Sequence, residues 1–166
     1  MAEALRESGW EIVHFGSITM REVKARGLDV SEANERAVRE ELRETHGPAA
    51  YAKLSLPAIA EALRERPVAV DGLYSWAEYK LIKEELAEEA LVFAVCADRA
   101  VRYDRLARRP VRPLNADEAR QRDYAEIEVL DKGGPIAIAD RFILNNGTEA
   151  ELRAEVERIA RELIGA

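Results

Sequence analysis

The chain has 166 residues, which suits one domain with its own core. It is 48% hydrophobic and 34% charged, with a formal net charge of -7, a soluble composition that argues against general nucleic-acid binding but leaves room for a local basic site. No apolar run approaches the roughly 18 residues that span a membrane, the start shows no signal-peptide pattern, and the single cysteine, Cys96, cannot form an internal disulfide, so the cytoplasm is the expected compartment.

Residues 2–8 read as a helix closed by Gly9. Residues 10–16 have the β-branched and aromatic content of a strand. Residues 19–26 form a short helix closed by Gly27, and Ser31 caps a polar helix that runs to about His46 and stops at Gly47 and Pro48. Residues 49–66 read as one long helix that Pro57 should kink or divide. An apolar strand at 67–72 ends in Asp71 and Gly72, and Ser75 with Glu78 makes a capping box for a helix to Leu86. The continuous apolar run 91–97 is the strongest strand and should be buried on both faces. Asp98 caps an arginine-bearing helix, a Pro-bounded loop follows at 109–113, and Asn115 with Glu118 opens a helix to about Asp131. Gly133, Gly134 and Pro135 break the chain before an apolar turn at 136–139. Residues 141–145 form a strand, Thr148 with Glu151 caps the last helix, and Leu152, Val156, Ile159 and Leu163 recur at helical spacing.

Strands alternating with helices predict a single α/β sandwich with a parallel sheet. Ligands of such sheets sit outside the C-terminal strand ends, here Gly16–Ser17, Asp71–Gly72, Ala97–Asp98 and Asn145–Gly147. Between Asp98 and Asp123 eight arginines face five carboxylates, a local positive excess in an acidic chain. Arg102, Arg105 and Arg109 fall on one helix face; Arg112 lies in the loop, and Arg120 and Arg122 on the next helix. This cluster reads either as a grip on a polyanion such as phosphate or as a solvated face whose arginines pair with Asp104, Asp123 or Glu126. Asp71 is a carboxylate at a strand end, suited to holding Mg²⁺ or orienting an acceptor hydroxyl, or simply to ending a strand. Asn146 and Gly147 stand in a strand-to-helix turn whose backbone amides can receive a base edge or an anion. His14 and His46 occupy unrelated settings, with His14 expected on a packed strand surface. There is no metal-ligand cluster and no G-x-x-x-x-G-K-[ST] or G-x-G-x-x-G motif.

Taken in order, Asp71-Gly72 after a strand, Asp98 with Arg102, Arg105, Leu106 and Arg109 after the next, Arg122-Asp123, and Ile143 to Thr148 resemble P-loop small-molecule kinases of the nucleoside monophosphate kinase and dephospho-CoA kinase group, and in particular its dephospho-CoA-kinase-like or adenylate-kinase-like ATPase branch. The resemblance implies a three-layer P-loop kinase-like sandwich over nearly the whole chain, with parallel strand order 2-3-1-4-5. It implies ATP and Mg²⁺ as cofactors and a nucleotide-like small molecule as phosphoryl acceptor, with neither nucleic acid nor membrane as partner. Asp71 would lie near the acceptor or Mg²⁺. Arg105, Arg109 and Arg112 would belong to a lid at 109–122, with Arg122 following it. Asn146 and Gly147 would lie near the adenine of the donor, and Ser17 and Tyr74 would contact the acceptor. Two departures matter: the strand-2 end reads Gly16-Ser17-Ile18-Thr19-Met20 without the family's Asp and Arg, and the segment Asp71 to Ser75 carries no arginine. Tyr74 and Trp76 either stack on a ring or serve capping and packing. The family's first strand and phosphate loop have no counterpart in these residues, so the chain is expected to be N-terminally shortened and inactive alone. The strands of Val68 and Leu91 should then be separated by a gap, and the lid arginines should be largely unpaired and mobile. The alternative is a non-catalytic nucleotide-binding or interaction module derived from the same fold.

Overall fold

The computed structural model describes residues 1–86, 90–110 and 113–164. Helix α1 (Ala2–Glu7) turns through Gly9, at φ +90°, into strand β1 (Glu11–His14). Helices α2 (Gly16–Ala25), α3 (Glu32–His46) and α4 (Ala50–Leu63) follow, then β2 (Val68–Asp71) and α5 (Trp76–Leu86). The second half runs β3 (Phe93–Cys96), α6 (Arg99–Ala107), α7 (Ala116–Glu128), α8 (Gly133–Ala137), β4 (Arg141–Leu144) and α9 (Glu149–Ile164). The architecture is mixed α/β with small parallel sheets.

The four strands form two parallel pairs. β1 pairs with β2 in a register running from Glu11 opposite Val68 to His14 opposite Asp71. β3 pairs with β4 from Phe93 opposite Arg141 to Cys96 opposite Leu144. Among the described residues β2 and β3 do not pair with each other.

Helices cover both faces of the β1–β2 pair because its side chains alternate. Val13, Val68 and Val70 pack into a core built from Phe15, Ile18 and Val23 of the first helical layer with Val38, Leu42, Tyr51, Ile59 and Ile82. Ile12 and Ala69 face the other way, onto Ala4 and Leu5 of α1 and Val156 and Ala160 of α9. Each large aliphatic side chain fully buried here contributes roughly 1.5–3 kcal/mol. A buried hydrogen bond between the hydroxyls of Thr19 and Tyr51, 2.6 Å long, ties α2 to α4. Since α9 follows β4 yet packs on β1 and β2, it joins the two strand pairs.

The three capping boxes hold. Asn115 Oδ1 accepts from the Asp117 and Glu118 amides while Glu118 reaches back to the Asn115 amide. Thr148 and Glu151 exchange the same bonds at α9. Ser75 and Glu78 do so at α5, where Glu78 accepts from the amides of Ser75 at 3.1 Å and Tyr74 at 3.3 Å. Glu78 is only 1% exposed, and burial pushes its carboxyl above the usual range although those backbone bonds oppose it. Between the ordinary glutamate value and the raised folded one, the folded state holds the extra proton, so this group's contribution to stability falls as pH rises through that window. Glu78→Gln keeps a capping oxygen and cannot ionise. Its urea midpoint relative to wild type is therefore expected to improve as pH rises from about 4 toward 7.

Several local expectations are corrected. Pro57 lies inside α4 without dividing it. The first strand stops at His14, and Phe15 and Gly16 already belong to the start of α2. Residues 133–137 are a short helix rather than a break, and Gly134 is required there because a Cβ would meet the Trp76 ring at 2.8 Å. Trp76 also stacks on Tyr79 at 5.0 Å, which assigns it to packing. Asp98 sits at the N-cap of α6 but makes no side-chain cap bond. The run 91–97 is not buried on both faces. Only Ala94 within β3 is buried, and Leu91, Val95, Phe142 and Leu144 are exposed, because helices cover the second strand pair less fully than the first.

Candidate functional site

The C-terminal ends of the two strand pairs carry two clusters. At the first, the β1–β2 register sets His14 beside Asp71, and His14 Nδ1 lies 3.0 Å from Asp71 Oδ2. The side chains are 41% and 65% exposed, so His14 faces solvent, not the packed surface expected of it. Phe15 holds the strand end in place: its amide donates to the Asp71 carbonyl at 2.9 Å and its ring is buried. Gly72 follows at φ +99°, a backbone conformation that favours glycine. A hollow of about 520 Å³ opens here, lined by His14, Ser17, Met20, Arg21 and Lys24. Ser17 thus lies at the hollow, but its hydroxyl donates to the His14 carbonyl at 2.6 Å and is used to fix the turn.

Tyr74 leads from this end toward α7. Lys132 Nζ sits 4.6 Å from the centre of the Tyr74 ring, a cation–π contact. Lys132 also donates to Glu126, which receives Arg122 Nε at 3.0 Å. Burial alone would raise the Glu126 carboxyl, but the hydrogen bonds from Lys132 and Arg122 outweigh it and hold the group below the usual range. Burial raises the Tyr74 phenol, and the Glu126 charge adds to that. The negative charge of Asp71 adds to that rise, and the positive charges of Arg122 and Arg109 oppose it.

The second cluster lies at the ends of β3 and β4. A hollow of about 240 Å³ is lined by Val95, Ala97, Arg102, Arg105, Leu106, Arg109 and Asn145. Helix α6 ends at Ala107, so Arg109 reaches the hollow from the loop and not from the helix face expected of it. Arg105 donates to the carbonyls of Asn145 and Gly147, each at 2.6 Å, and thereby clamps the strand-to-helix turn. Asn146 Oδ1 accepts from the Asp98 amide at 2.8 Å, tying the ends of β3 and β4 together. The Glu151 carboxylate lies close over Gly147. Arg102 grips Asp123 through two bonds of 2.5 and 2.7 Å, and this holds the Asp123 carboxyl below its usual range. Arg108 and Arg120 pair with Asp104 and Asp117.

The arginines are therefore mostly engaged, contrary to the expectation that they would be unpaired and mobile. Acceptors within the chain satisfy most of their donors: Arg102 pairs with Asp123 and Arg105 bonds two backbone carbonyls, while Arg109 has neither an ion pair nor a hydrogen bond among the described residues. Arg112 lies outside the described residues. Sequence reasoning missed His14, Lys132, Arg21 and Lys24. The last two fall at i and i+3 on α2, a spacing that could have been read as one face. Among the described residues no group of three or more His, Cys, Asp or Glu could hold a metal ion, and no helix is long and apolar enough to cross a membrane.

No protein-family profile matches the chain. It is 30% identical over 168 residues to a UPF0200 protein of Thermococcus kodakarensis, a match covering 99% of this chain and 90% of the relative. It is 31% identical over 167 residues to a UPF0200 protein of Hyperthermus butylicus, covering 99% and 88%. A UPF0200/UPF0201 protein of Archaeoglobus fulgidus is 30% identical over 165 residues, covering 98% of this chain and 51% of the relative. On these similarities, the chain belongs to the UPF0200 family.

Proposed function

We propose that the protein is an ATP-dependent phosphotransferase or NTPase of the nucleotide or dephospho-CoA kinase type, built as a three-layer P-loop kinase-like sandwich. The observation that carries the reading is the arrangement of strands as two parallel pairs, β1 with β2 and β3 with β4. That is what the family order 2-3-1-4-5 leaves when its middle strand is removed. Among the described residues β2 pairs only with β1 and β3 only with β4, and open strand edges are costly to leave and suit a further parallel strand. In this reading a further parallel strand with a glycine-rich phosphate loop would complete the sheet. The 240 Å³ hollow receives the donor nucleotide, with Arg109 free to meet its phosphates and Arg105 holding the Asn145–Gly147 turn against its base. The end of β2 receives the acceptor.

The donor set suits a magnesium nucleotide better than a resident metal. Mg²⁺ commonly keeps its waters and uses one or two carboxylates with substrate phosphates, and Asp71 offers one exposed carboxylate. Bound there, Mg²⁺ would neutralise charge on the transferring phosphates. Arg109 and Arg122 supply further positive charge from the protein.

The test is ADP release by the full-length protein from MgATP, alone and with dephospho-CoA or AMP. Acceptor-stimulated ADP release is expected. If the protein neither binds ATP by calorimetry nor releases ADP, the reading fails. A second reading, a nucleotide-binding module without transfer, draws on the intramolecular pairing of Arg102, Arg105 and Arg122. It would be marked by tight ATP binding with no turnover.

A further inference from the structure

We propose that the donor subsite binds amino and oxo purine nucleotides alike, GTP as well as ATP, and that Arg105 sets this breadth. The inference rests on the nucleotide reading of the 240 Å³ hollow and names the bases that the hollow takes. Its lining has two chemistries. Val95, Ala97 and Leu106 are apolar and suit the flat face of a ring, whereas Arg105 and Arg109 are cationic. Asn145, just past the end of β4, completes the lining. A ring laid on the apolar wall therefore turns its edge toward the strand-to-helix turn.

Adenine and guanine differ at that edge. Adenine presents an amino group, which donates, and guanine a carbonyl, which accepts. A turn that selects adenine must offer it an uncommitted carbonyl. Here the carbonyls of Asn145 and Gly147 each accept from Arg105 at 2.6 Å. The cation lying across both oxygens opposes the approach of a further donor. A guanidinium has five N–H donors and no acceptor, so those two bonds leave it further donors for a base carbonyl. Asn146 adds to the bias. Its Oδ1 accepts from the Asp98 amide at 2.8 Å, and the other end of its carboxamide is again a donor. The Asn145 amide is committed to the Cys96 carbonyl at 2.6 Å, so side chains and not that amide set the preference. Adenine still binds, because its ring nitrogens accept and its face packs equally well on Val95 and Leu106. The phosphates meet Arg109 whichever base they carry.

The experiment titrates the full-length protein by calorimetry with MgATP, MgGTP and MgITP. Inosine carries the carbonyl of guanine without its amino group, so ITP isolates the group at issue. GTP and ITP are expected to bind within about tenfold of ATP, or more tightly. Arg105→Met removes the donors and frees both carbonyls. GTP and ITP should then lose about tenfold more affinity than ATP, on the order of one hydrogen bond exchanged. A role in the turn alone would not separate the three nucleotides. Their ratio is also independent of how much of the variant is folded, since all three bind the same state. ATP binding tighter than both GTP and ITP by more than about tenfold in the wild type overturns the inference alone, as does a ratio that Arg105→Met leaves unmoved. If none of the three binds, the nucleotide reading falls and takes the inference with it.

Discussion

Phe15→Ala is expected to lower the free energy of unfolding by about 3–5 kcal/mol, the usual cost of emptying a buried phenylalanine site. The ring is 2% exposed and joins α2, α3, α4 and α5 with the β1–β2 sheet in one core. Natural domains keep only about 5–15 kcal/mol in total, so much of the margin would be lost. The loss should appear as a lower urea midpoint with an unchanged slope. The variant also bears on function, because the Phe15 amide pins the end of β2 through the Asp71 carbonyl. A cavity beside that bond would let His14 and Asp71 drift apart. Phe15→Leu, which fills more of the space, should recover part of both losses.

On the phosphotransferase reading, Arg105→Met is expected to weaken ATP binding by roughly 10–100-fold, on the order of one to two factors of 1.4 kcal/mol, and to lower stability by about 1.5–3 kcal/mol. The guanidinium makes two charge-assisted bonds to backbone carbonyls, and without it the Asn145 and Gly147 oxygens turn to solvent and the turn loosens. Arg105→Lys should rescue little, since a single ammonium cannot bridge two carbonyls as a planar fork does. Calorimetric titration with ATP and a denaturation series on the same samples separate the two effects. Affinity unchanged at reduced stability would assign Arg105 to the turn alone.

What could be read in the sequence was short in range. The capping boxes at Ser75, Asn115 and Thr148 each involve groups three residues apart, and all three form as expected. The Arg122 pair with Glu126 is likewise a one-turn relation on α7. What escaped depended on register or on backbone acceptors. His14 meets Asp71 only because β1 and β2 pair in one alignment across 57 residues of chain. Arg105 was legible as a cation, but its partners are carbonyl oxygens, which leave no trace in side-chain identity. The apolar run at 91–97 misled because periodicity reports what a strand could bury. It does not report whether a second layer is there to cover Val95, and β3 pairs only with β4.

The packing of α1 against α9 sets a timetable for folding on the ribosome. Ala4 and Leu5 share a cluster with Val156 and Ala160, and Glu7 bonds to Arg153. Synthesis proceeds from the N-terminus, so the first helix waits, with its apolar face uncovered, until α9 emerges. The opposite core, from Phe15 to Ile82, uses segments available long before then. That half can condense early, while the β1 face bearing Ile12 stays open to chaperones or to premature strand pairing. Nascent chains arrested before α9 should therefore expose Leu5 and Ile12 to proteolysis, and release of α9 should close that window in a single late step.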